Sequence, residues 1–110
     1  MKAFLPAAAS LLLAMQAAAA PAQVVHDHKA VSDIVQDGTR PCLFFRLVGV
    51  DVADPAHSTH WFAIPRTHSA FAESFALLVT ARAARLNVRV TTTGTASCGL
   101  ATVDEIYLRG

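Results

Sequence analysis

Pro41-Cys42-Leu43-Phe44-Phe45-Arg46-Leu47-Val48-Gly49-Val50 is the stretch that decides the fold. In an extended chain, successive side chains point to opposite faces. Cys42, Phe44, Arg46, Val48 and Val50 then share one face, and Leu43, Phe45, Leu47 and Gly49 the other. Both faces are largely apolar. A strand covered on both sides sits centrally in its sheet, and that is the expectation here.

Working outward, Ala30 to Gln36 reads as a first strand, with Val31, Ile34 and Val35 apolar. Asp37-Gly38 is a turn signal between it and the central strand. The preceding polar stretch, Gln23 to Lys29, is expected to fray. After the central strand, Asp51 to His60 reads as a loop, because Asp54-Pro55 breaks the alternation. Trp61 to Ile64 is a short third strand, ended by Pro65. One helix follows. Ser69 or Thr67 is a candidate N-cap, and Glu73 lies in the first turn, where the helix dipole favours a carboxylate. Phe71, Phe75, Leu78, Val79 and Leu86 recur at helical spacing, and Arg82 and Arg85 suit the last turns. Asn87 is expected to close the helix. Val88 to Thr93 reads as a fourth strand ended by Gly94. Cys98 to Leu108 reads as a fifth, with a bulge near Asp104-Glu105.

The order β-β-β-α-β-β is mostly β with one helix. A long central strand and one helix between the third and fourth strands predict a five-stranded OB-fold-like barrel. The alternative is an open α+β sheet with the helix on one face. Phe44, Phe45, Phe62, Phe71 and Phe75 are expected to fill the core. Trp61 is placed less readily, because its indole N–H needs a partner. At a loop edge its ring either stacks on a sugar or caps the barrel.

The N-terminal residues read as a signal peptide rather than as part of the fold. Lys2 gives a positive start, and an apolar run from Ala3 to Ala14 centres on Leu11-Leu12-Leu13. Ala20-Pro21-Ala22 fits an A-x-A cleavage site. The run holds Pro6, is soon followed by Gln16, and is short for a bilayer span of about 20 residues. Residues 1–22 are therefore set apart from residues 23–110, which form the OB-fold-like domain. Export to the periplasm or the medium is the implied destination. No membrane association is expected after cleavage.

Removing Lys2 from nine Lys and Arg leaves eight, against eight Asp and Glu. That balance argues against nucleic acid, which needs a positive footprint. It argues equally against electrostatic membrane binding. A domain this small buries little core and needs a staple. Two cysteines remain, Cys42 and Cys98, and an even count in a small exported domain predicts a disulfide. The chain-entropy model gives such a long loop about 4 kcal/mol.

Five histidines offer the main chemical alternative. His26-Asp27-His28, the pair His57 and His60, and His68 together suggest a Zn or Cu site or an enzyme built on imidazoles. None has the spacing of a hydrolytic metal motif, and no serine sits in a G-x-S-x-G turn. The preferred reading is a non-catalytic binding module without metal or other cofactor.

From Val31 onward, the chain resembles the receptor-binding B subunits of bacterial AB-type toxins, the group containing the subtilase cytotoxin and typhoid toxin B subunits. Val31-Ser32-Asp33-Ile34-Val35 is similar to their first strand, and Pro41-Cys42-Leu43-Phe44 to their cysteine-bearing second strand. Ser74-Phe75 through Asn87-Val88-Arg89-Val90 is similar to their helix and fourth strand. The resemblance implies an exported OB-fold protein that binds a sialylated glycan or a protein partner and assembles as a homo-oligomeric ring. The family's glycan-binding serine carries over to Ser32. Two departures stand out. The family's second-strand cysteine pairs with one in the third strand, where this chain has Ala63. An aromatic residue precedes the family's serine where this chain has Ala30.

Overall fold

A computed structural model describes residues 23–110, so the expected leader lies outside the described residues. The elements are β1 (Val25–Gln36), β2 (Cys42–Leu47), β3 (Phe62–Pro65), α1 (Phe71–Ala84), β4 (Asn87–Ser97) and β5 (Leu100–Arg109). The chain order is β-β-β-α-β-β. The five strands form a sheet that closes on itself in a ring, β1-β2-β3-β5-β4, with β4 returning to β1. The order around the ring thus departs from the order in the chain. β5 stands between β3 and β4, and its contact with β3 is the one parallel pairing among the described strands. Closure sets aside the open-sheet alternative.

Inside the ring, alternation puts Leu43, Phe45 and Leu47 of β2 against Phe62 and Ile64 of β3, Val88 and Val90 of β4, and Val103 of β5. Phe45 and Phe62 are paired in register and stack with centroids 5.1 Å apart. Leu78 and Ala81 of α1 plug this core.

Several boundaries differ from the sequence reading. β1 begins at Val25, because His26 to Ala30 pair with β4 instead of fraying. The bidentate contact between Arg109 and Asp27 ties that segment down, with both N–O distances 3.0 Å. β4 runs through Gly94 to Ser97. The fifth strand starts at Leu100, and Cys98 lies in the preceding turn. Cys98 (φ 52°) and Gly99 (φ 78°) both have positive φ, as a two-residue type I′ hairpin turn requires. The expected bulge is present: Thr91 pairs with Glu105 and Thr92 with Val103, leaving Asp104 as the extra residue.

The helix has neither expected cap. Its N-cap is Ala70, without a side-chain bond. His68 does the work instead. Its Nδ1 accepts from the Ala70 N–H at 3.0 Å, and its Nε2–H donates to the Asp104 carbonyl at 2.9 Å. One tautomer satisfies both bonds and fixes the helix start to the β5 bulge. The C-cap is Arg85, in the left-handed conformation, two residues before Asn87. Phe75 and Val79 are each 43% exposed, so they lie off the core-facing stripe of Ser74, Leu78 and Ala81. The helix is apolar nearly all round, and periodicity alone gives no contrast to pick its inner face.

Candidate functional site

The outer face of β2 carries the second set of alternating side chains, Cys42, Phe44 and Arg46. Cys42 and Cys98 are disulfide-bonded, with Cα atoms 6.5 Å apart across a sequence separation of 56. This intramolecular bond fits an oxidising compartment. No described helix is long and apolar enough to cross a membrane. The bond draws the tip of the β4–β5 hairpin over the outside of β2 and β3. Cys42, Phe44 and Ala63 form a small buried cluster there, with Trp61, Cys98 and Leu100 packed against it.

Beside that cluster lies a cleft of about 220 Å³ lined by Val35, Arg40, Phe44, Trp61 and Leu100. Register explains the convergence. Val35 of β1 is opposite Phe44 of β2, and Phe44 is opposite Ala63 of β3. Trp61 immediately precedes β3, and Leu100 begins β5 just after the stapled turn. Arg40 reaches in from the β1–β2 turn. That turn is organised by Asp37, whose Oδ1 accepts from the Thr39 hydroxyl (2.6 Å) and N–H (2.9 Å). The Arg40 Nε–H donates to Asp37 Oδ2 at 2.9 Å, and its guanidinium lies 4.4 Å from the centre of the Phe44 ring. The Thr39 bonds foremost, then Arg40, hold the Asp37 carboxyl down to about 2.

Ser32 occupies the bulge of β1. Val31 pairs with Leu47 and Asp33 with Arg46, so Ser32 is the unpaired extra residue. Its hydroxyl donates to Asp33 Oδ2 at 3.2 Å, and its carbonyl accepts from Arg82 Nε at 3.1 Å. The same Asp33 oxygen lies 3.5 Å from Arg46 Nη1. The Arg46 guanidinium is 5.7 Å from the Trp61 ring, within cation–π range. Its Nε is buried without a hydrogen-bond partner among the described residues. A hydroxyl, a carboxylate, a guanidinium and an indole therefore run in contact from Ser32 to the mouth of the cleft.

The histidines do not come together. His26 Nε2 bonds the Ala53 carbonyl at 2.7 Å, and its ring meets Phe62 edge-on. His57 Nδ1 lies 3.1 Å from Asp54 Oδ1, while His68 serves the helix start and His60 leans on Trp61. Among the described residues, no group of three or more His, Cys, Asp or Glu side chains is placed to hold a metal ion. Asp54 is 1% exposed and organises the Asp51–His60 loop, accepting from the N–H groups of Ala56 and His57.

Sequence reasoning named Ser32 and Trp61 but missed the cleft. By sequence pattern Phe44 belongs to the main core, and Arg40 and Leu100 carry no role. The signal that points there is the non-alternating apolarity of Pro41 to Val50. An apolar outer face on a barrel-forming strand needs a cover, and Cys42 on that face marks where the cover attaches. No family model matches the chain, and no curated protein does.

Proposed function

We propose that this chain is an exported, non-catalytic binding module with an OB-type barrel, similar to the B subunits of AB-type toxins. It recognises a sialylated glycan through Ser32 and assembles as a ring of identical copies. The observation that carries the reading is the contiguous strip Ser32–Asp33–Arg46–Trp61 on one outer face. Sugar recognition draws on hydroxyl and charged groups for the ring substituents and on an aromatic face for the C–H surface. Asp33 alone would repel a sugar carboxylate. Its ion pair with Arg46 offsets that charge, and the exposed Ser32 hydroxyl exchanges its bond to Asp33 for one to the sugar. The disulfide is in keeping with export, as is the Lys2 to Ala22 pattern.

A glycan array with wild-type protein and Ser32→Ala tests the assignment. Losing a hydrogen bond to a charged group costs about 1.5–3 kcal/mol, so Ser32→Ala weakens binding roughly ten- to a hundred-fold while the thermal midpoint holds. Unchanged binding by Ser32→Ala, or no sialylated glycan bound by wild type, rules the site out.

A further inference from the structure

We infer that the cleft between Val35, Phe44, Trp61 and Leu100 is a second binding site, and that it takes a small apolar carboxylate: one ring or branched aliphatic group with an acid at its end. The proposal rests on the cleft and not on the reading of Ser32; the two sites share the Trp61 ring.

The walls argue for an apolar body. Four of the five lining residues are Val35, Phe44, Trp61 and Leu100, and only Arg40 is polar. A sugar placed here would bury hydroxyls against carbon and lose their water without replacement, which is costly. The volume argues for a small guest. At about 220 Å³, the cleft is below the 300–1,000 Å³ typical of drug-sized ligands and suits a single ring.

Arg40 argues for the acid. Its guanidinium lies over the Phe44 ring, 4.4 Å from the ring centre, and its Nε–H donates to Asp37. The edge formed by the two terminal nitrogens remains for a bidentate carboxylate. Asp37 and Phe44 hold that fork in place before any guest arrives, which lowers the ordering cost of binding. A guest lying against Phe44 and Trp61 thus meets the guanidinium at one end.

The cleft also carries its own reporter. Trp61 is the single tryptophan of the chain, so intrinsic fluorescence reads occupancy directly. The test titrates the disulfide-bonded protein with 3-phenylpropionate, its neutral amide, and N-acetylneuraminate. The acid is expected to change Trp61 emission saturably. The amide should bind on the order of tenfold or more weakly, because it forfeits the charged pair. N-acetylneuraminate, whose hydroxyls find no partners in the cleft, should occupy it on the order of tenfold or more weakly than 3-phenylpropionate does. Arg40→Gln, an exposed position, should lower affinity for the acid to that of the amide and leave the amide unchanged. Equal binding of acid and amide overturns the proposal, as does an Arg40→Gln protein that binds the acid like wild type. Competition by N-acetylneuraminate at equal strength overturns the apolar class. A silent glycan array leaves these outcomes untouched, and a silent fluorescence titration leaves the Ser32 reading untouched.

Discussion

Phe44 and Phe45 are adjacent in β2 and equally hidden, at 2% and 0% exposure, yet they are buried by different means. Phe45 points into the ring. It stacks on Phe62 and is enclosed by strands whose backbone hydrogen bonds close on themselves. Phe44 points outward. It is covered by a hairpin tip that a disulfide holds in place, by Arg40 lying across its ring, and by Trp61 from the start of β3. The ring would exclude water around Phe45 without the disulfide, whereas the cover over Phe44 depends on a covalent staple. Nearly equal burial therefore hides a difference in purpose. The inner face holds the fold, and the outer face holds a cleft.

Phe45→Ala breaks this comparison most severely. Truncating a fully buried Phe leaves a cavity that the ring cannot collapse around, at a cost of about 3–5 kcal/mol. Phe44→Ala is expected to cost clearly less, because its gap opens onto the existing cleft and admits water. Equilibrium urea unfolding measures both, and equal losses would show that the two faces are not distinct. The staple comes next. Cys42→Ala combined with Cys98→Gly, which suits the positive φ of the turn, should lose about 2–4 kcal/mol. Hydrogen exchange should then rise at Ser97–Leu100 while the amides of Phe45 and Val90 stay protected relative to global unfolding. Uniform loosening would mean that the disulfide supports the core directly.

The inner half of this contrast was legible in the sequence, and the outer half was not. Leu43, Phe45 and Leu47 share one face at strand spacing, and the strand and helix order follows from the apolar runs together with Pro65, Gly38 and the helical spacing. The pairing of Cys42 with Cys98 followed from their number. The site resisted because its parts come from five separate places: Val35 in β1, Arg40 in a turn, Phe44 in β2, Trp61 before β3 and Leu100 after a turn. Their meeting depends on register, which local pattern does not specify for a strand that is apolar on both faces. The helix caps were missed for a related reason. Ser69 and Thr67 have the right chemistry, but His68 reaches the β5 bulge, a tertiary contact that no local motif announces. The polar segment before Ala30 reads as frayed because the residue that ties it down, Arg109 on Asp27, is 82 positions away in sequence.

The smallest expected effect concerns two solvent-facing carboxylates, one on each side of this divide. Bonding from Arg109 foremost, and from the His28 N–H, lowers Asp27 from 3.8 to about 2. The Thr39 bonds and Arg40 lower Asp37 to about 2 beside the cleft. Each group binds a proton less readily folded than unfolded. The stability it contributes is therefore complete above its unfolded value near 3.8 and fades as the pH falls toward 2. Both carboxylates reach water, where such pairs contribute little. The melting temperature should thus decline only modestly across that window, on top of the general effect of acid. Asp27→Asn and Asp37→Asn should each flatten the decline. Only Asp37→Asn should also alter Trp61 fluorescence at neutral pH, because it releases Arg40 from its place over Phe44. If Asp27→Asn shifts the emission equally, Asp37 has no special hold on the cleft, and the division between a fold-holding face and a site-holding face loses its electrostatic support.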